Sequence, residues 1–144
     1  VSENRTMVSD AARTGARTGE KVSIRAVRGA TQLDVDQADH LLERTAELMR
    51  EVLRRNGLGA DDVISIFLTA TPDLRSAFPA AAVRGIGITD VPLMCAQELD
   101  IDGAMPRVVR LMAHVETSLP RDEVRHVYLH GTTVLRDDLA GDAR

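Results

Sequence analysis

Four charged side chains stand where strand-like segments should be apolar. In SIRAVRGA, Arg28 shares a face with Ile24 and Ala26 by the two-residue period of a strand. In RVVRLMAHV, Arg110 lies inside a run that is apolar on both faces, while Arg136 ends TVLR and Glu98 ends VPLMCAQE. A buried charge without a partner is very costly. These residues are therefore either structural, with Arg110 and Glu98 a buried ion pair and Arg28 and Arg136 strand-end charges in water, or the lining of a site. One carboxylate and several arginines on strand ends suit a small dianion, because guanidinium groups grip carboxylates through paired hydrogen bonds. Pattern alone leaves both readings open.

Other candidate chemistry is thinner. Cys95 has neither zinc-ligand spacing nor a base beside it in the sequence; a small buried packing residue is expected there, with a nucleophile as the rival reading. His126 and His130 would share one face of a strand but lie about 13 Å apart at ~3.3 Å per residue, too far to ligate one metal. His114, in its apolar strand, is expected to be a hydrogen-bonded core or interface histidine. No glycine-rich phosphate loop, G-x-S-x-G or H-E-x-x-H is present, so neither a metal nor a cofactor is expected.

The elements that must carry these residues follow from periodicity. VSIRAVRGA (22–30) alternates and predicts a first strand ending at Gly29. From Asp36 to Asn56 one apolar stripe runs through Leu41, Leu42, Leu48, Met49, Val52 and Leu53, predicting a long helix that Asp34 or Asp36 could cap and Gly57 stops. DVISIFLTA (62–70) predicts a strand buried on both faces, and TPDL a turn. SAFPAAAVRGIG predicts a short helix, with Ser76 and Pro79 at its start and Gly85 and Gly87 at its end. VPLMCAQ, RVVRLMAHVET (107–117) and HVYLHGTTVLR (126–136) predict three more strands, with a turn in LPRDEVRH. The sum is one α+β domain, a sheet of about five strands with helices on one face. The other face keeps many apolar residues, so a further copy of the chain is expected to cover it.

Composition bounds the rest. With 144 residues, 44% hydrophobic and 28% charged, the chain suits one globular domain with a sizeable core. Two Phe, one Tyr and no Trp mean that aliphatic side chains build that core. Residues 1–21 hold four basic and three acidic residues, a net +1, and read as a flexible tail; residues 22–144 hold the remaining 14 basic and 19 acidic, a net −5. An acidic domain is a poor polyanion binder, which argues against nucleic acid. One cysteine cannot form an internal disulfide, and no apolar run reaches ~18 residues, so the expected setting is the cytoplasm, away from membranes. Residues 140–144 are expected to be mobile.

Five strings together resemble one family: IRAVRGAT (24–31), TATPDLRSAFPAAAVR (69–84), VPLMCAQELD (91–100), RVVRLM (107–112) and RHVYLHGTTVLRDDL (125–139). They resemble the monofunctional, AroH-class chorismate mutases, over about residues 22–139. The resemblance implies a pseudo-α/β-barrel homotrimer with active sites in clefts between subunits. It also implies conversion of chorismate to prephenate on the route to phenylalanine and tyrosine. By the same resemblance Arg28 and Tyr128 hold substrate carboxylate and Glu98 accepts the ring hydroxyl, with Cys95 beside it. Arg110 meets the ether oxygen of the breaking bond. Arg84 lies on the charged rim, Arg136 on a C-terminal edge that closes over the site, and Phe78, Ala80, Leu93, Met94 and Leu135 form apolar walls. Ala81 stands where the family often has lysine, and Asp137 where it often has proline. The rearrangement is unimolecular and needs no nucleophile, matching the missing nucleophile–base pair. Rival readings are an imine-deaminase-like trimer, which would lack the C-A-Q-E and R-H-V-Y-L strings, and a non-catalytic trimer that senses a small dicarboxylate.

Overall fold

The computed structural model describes residues 21–135. The expected tail through residue 20, Arg136 and the expected mobile end at 140–144 lie outside the described residues. Five strands form one mixed sheet: β1 (Ser23–Gln32), β2 (Val63–Ala70), β3 (Leu93–Gln97), β4 (Val108–Thr117) and β5 (Val127–Tyr128), in the order β3-β2-β4-β1-β5. The central strand, β4, runs antiparallel to β1 and β2; β3 is parallel to β2, and β5 to β1. Helices α1 (Ala38–Arg55) and α2 (Pro79–Gly85) connect them.

The core lies between the helices and one sheet face. The α1 stripe buries Leu41, Leu48, Met49 and Val52 completely against Val27, Ile66, Leu68, Val109 and Leu111. Each such side chain contributes about 1.5–3 kcal/mol on leaving water. Gly29 lets α1 approach β1, because a Cβ there would stand 3.0 Å from Cδ1 of Leu48. No described helix is long and apolar enough to cross a membrane.

Several local expectations fail for identifiable reasons. Neither Asp34 nor Asp36 caps α1: its N-cap is Gln37, without a side-chain cap bond. Asp34 instead pairs with Arg44, and Asp36 accepts the backbone N–H groups of Arg75 and Ser76, fixing the approach to α2. β2 is not buried on both faces, since Ile64 and Phe67 are exposed and a register shift interrupts the pairing between Val63 and Ser65. β3 is an edge strand, mostly exposed, rather than a buried one. The expected strand over 126–136 shrinks to Val127–Tyr128. There the Thr132 hydroxyl donates to the carbonyls of Ala30 and Leu129, and His130 adopts φ 55°, so the chain turns into a 3-10 turn over His130–Thr132. His126 and His130 therefore do not share a strand face.

Candidate active site

The sheet face away from the helices carries the predicted charges. Alternation and register place Arg28 opposite Met112, and Thr69 opposite Arg110, all on this open face. The sequence folds this way because β4 alternates from Val109 onward. Val109, Leu111, Ala113 and Val115 turn inward, and Arg110 and Met112 turn outward.

Glu98 follows β3 and extends its pairing by one residue, its N–H donating to the Ala70 carbonyl at 2.9 Å. Its carboxylate receives Arg110 through two hydrogen bonds, Nε to Oε2 at 2.5 Å and Nη2 to Oε1 at 2.8 Å. β2 lies between the strands that carry this pair. The ion pair therefore spans two strand spacings, roughly 10 Å, which a long forked side chain can bridge. The Thr69 hydroxyl, on the intervening strand, donates to Oε2. The expected ion pair is thus present but only partly buried: the Arg110 side chain is 55% exposed and that of Glu98 16%. The Arg110 guanidinium, helped by the Thr69 hydroxyl, holds the Glu98 carboxyl below the usual carboxylate range against the opposing effect of burial. Glu98 in turn raises Arg110, so at neutral pH this is an anion beside a permanent cation.

Arg110 and Thr69 line a cleft of about 260 Å³ together with Arg28, Tyr128, Phe67 and Met112. Tyr128 pairs with Ala30 in the β1–β5 ladder and is buried against this cleft. The Arg28 backbone N–H donates to Nδ1 of His126 at 3.0 Å, which ties Arg28 to the start of β5. Burial, and then the charge of Arg28, lower the His126 pKa, so the ring is a neutral acceptor. One face thus presents two guanidinium groups, a phenol and a carboxylate around an apolar floor. Such a cleft suits a small ligand bearing carboxylates and a hydroxyl.

The remaining predicted residues fall elsewhere. Cys95 is exposed, not buried, because β3 is an edge. It pairs with Leu68 and so points to the helix side, opposite Glu98 rather than beside it. There it lines a second cleft of about 460 Å³ with Phe78, Ser76 and Gln97. Phe78, at the N-cap of α2, is 76% exposed, and Arg84, in the last turn of α2, is exposed. Ala80 belongs to the buried core, not to an open wall. Leu93 packs partly against the core, whereas Met94 is 64% exposed on the open face. Leu135 is half-buried at the end of the described residues. Among the described residues, then, Arg28, Arg110, Tyr128 and Glu98 come together, while Phe78 and Cys95 form a separate group.

Sequence reasoning missed Thr69, His126, Phe67 and Met112. The register that sets Thr69 across from Arg110 is visible only once β2 and β4 are paired. His114 is hydrogen-bonded, as expected, to Ser65 and stands edge-on to Phe67, half-buried on the open face rather than in the core.

Comparison with known proteins identifies the family. The family model for chorismate mutase type I matches residues 24–139. The chorismate mutase AroH of Bacillus subtilis (strain 168) is 42% identical over 118 residues, covering 81% of this chain and 93% of that protein. The chorismate mutase AroH of Thermus thermophilus is 41% identical over 117 residues, covering 81% and 96%. The solved structure of a chorismate mutase from Clostridium thermocellum superposes with a TM-score of 0.75 at 43% identity, over 76% of this chain and 97% of that one. With an open sheet face that gathers Arg28, Glu98, Arg110 and Tyr128, and a family match over nearly all the described residues, this chain belongs to the chorismate mutase type I family.

Proposed function

We propose that the chain converts chorismate to prephenate, as a step toward phenylalanine and tyrosine, in clefts shared between the subunits of a homotrimer. The observation that carries this reading is the Glu98–Arg110 pair at the edge of a cleft that also holds Arg28 and Tyr128.

The reaction is a concerted [3,3] shift: the ether C–O bond breaks as a C–C bond forms within one molecule. The protein contributes by holding the compact conformer and by meeting the charge that develops. Negative charge grows on the ether oxygen. Arg110 commits two of its five N–H groups to Glu98, leaving donors for that oxygen. Glu98, ionised, receives the ring hydroxyl and places negative charge near the electron-poor ring. Arg28 and Tyr128 hold carboxylate. A rate gain of ~10⁶ needs about 8 kcal/mol. One well-placed donor supplies about 3–4 kcal/mol, and conformational restraint on the bound substrate is of a size to provide the remainder.

A single chain leaves this cleft open. Phe67, Met94, Met112 and Ile24 are exposed on the same sheet face, a distribution that favours cover by another copy. The group around Phe78, Cys95 and Arg84 is separate from the cleft within one chain; in the trimer it would close the cleft of a neighbour.

Following the ultraviolet absorbance of chorismate with the purified protein tests the activity. Loss of absorbance with formation of prephenate is expected, and unchanged chorismate overturns it. Light scattering tests the assembly, with a mass of three chains expected and a monomer overturning it. Mixing Arg110→Ala and Arg84→Ala subunits tests the sharing. Mixed assemblies are expected to regain part of the activity that neither variant has, and the absence of any regain overturns a shared cleft.

A further inference from the structure

We propose that Thr69 is a positioning residue for Glu98: its hydroxyl occupies carboxylate oxygen Oε2, so that the substrate hydroxyl is received by Oε1. The inference rests on the reading of Glu98 as the group that binds the ring hydroxyl.

Each oxygen of a carboxylate offers about two acceptor positions. Oε2 of Glu98 takes two donors, Nε of Arg110 and Oγ1 of Thr69. Oε1 takes Nη2 of Arg110, and no other donor among the described residues is seen to bond it. The two oxygens are therefore unequal before any ligand arrives, and Thr69 makes them so. Strand pairing sets the position of its hydroxyl, because Thr69 sits directly across from Arg110 in the β2–β4 ladder. Its branched side chain is stiff about χ1, which limits how far the hydroxyl wanders. On the other side the Glu98 backbone N–H is tied to Ala70, the residue after Thr69. The carboxylate is thus clamped from β4 by Arg110 and from β2 by Thr69 and Ala70. Both Thr69 and Arg110 line the cleft, so the clamp sits where the ligand binds.

Valine keeps the shape of Thr69 and removes the donor, whereas serine keeps the donor. The test pairs Thr69→Val and Thr69→Ser with two readouts. The first is a carbon-13 NMR titration of the Glu98 carboxyl in ligand-free protein, assigned through Glu98→Gln. The second is the pH profile of kcat with chorismate. Loss of a donor that favours the anion raises the Glu98 titration midpoint, so the acid limb of the Thr69→Val profile moves to higher pH. Its kcat falls about tenfold with KM within about threefold, the size of one hydrogen bond to a charged group. Thr69→Ser restores the midpoint, the acid limb and kcat. A Thr69→Val protein with wild-type midpoint and acid limb, beside an inactive Glu98→Gln, overturns the role of Thr69 alone, as does a serine variant that behaves like valine. A Glu98→Gln protein with wild-type kcat overturns the role of Glu98 itself, and that of Thr69 in the reaction with it.

Discussion

Under α1 and α2, every second residue of β4 is apolar and sealed: Val109, Leu111, Ala113 and Val115. On the reverse side of the same strand stand Arg110, Met112, His114 and Glu116, half-buried or exposed. The covered side contributes stability through area removed from water, and it tolerates no charge. The open side keeps a permanent cation in place because Glu98 partners it without sealing it off. One strand therefore serves two purposes through alternation alone. Changes on one side should separate cleanly from changes on the other.

The sharpest expected separation is Arg110→Ala. In the proposed mechanism Arg110 donates to the ether oxygen, so its loss should lower kcat by about 10²–10³, with a smaller change in KM, in steady-state assays of chorismate loss. An unchanged kcat would break the division of labour. Leu48→Ala, on the covered side, should do the reverse. A fully buried leucine lost from the core costs about 2–5 kcal/mol, measurable by denaturant unfolding, while kcat of the folded enzyme stays near wild type. A fall in kcat as large as that of Arg110→Ala would show that the two faces are not independent.

His126 accepts the Arg28 backbone N–H just before β5, and its effect should depend on pH. Its folded pKa is lowered, so the folded state binds fewer protons than the unfolded chain. The stability that it contributes is then present above about pH 6.5 and is lost as pH falls through the lowered folded value. His126→Gln should flatten this part of the stability–pH curve, read by thermal melts across the range. A curve as steep as that of wild type would remove His126 from the account. The smallest effect is expected from Cys95→Ser, within about threefold in kcat, because a concerted shift needs no thiolate. Inactivation by that change would return Cys95 to the list of nucleophiles.

Much of this was legible in the sequence, for local reasons. The stripe from Leu41 to Val52 announces α1, and the apolar run RVVRLMAHV announces β4 and the odd position of Arg110. The misreadings share a cause. VPLMCAQ looks like a buried strand because an apolar run does not report how many neighbours a strand has. As an edge strand it leaves Cys95 and Met94 exposed. HVYLHGTTVLR looks like one strand because the hydrogen bonds of Thr132 to Ala30 and Leu129, which turn the chain, include a partner about a hundred residues away.

The sequence by itself determined which residues are apolar, at what period, and that Arg28, Glu98 and Arg110 interrupt them. It also carried the family strings. Only the tertiary structure decided that Glu98 and Arg110 meet across β2, that Thr69 stands between them, and that Cys95 looks the other way. Alternation is a property of one strand and can be read along the chain. Pairing order and register depend on hydrogen bonds between strands far apart in sequence, and these place one side chain beside another.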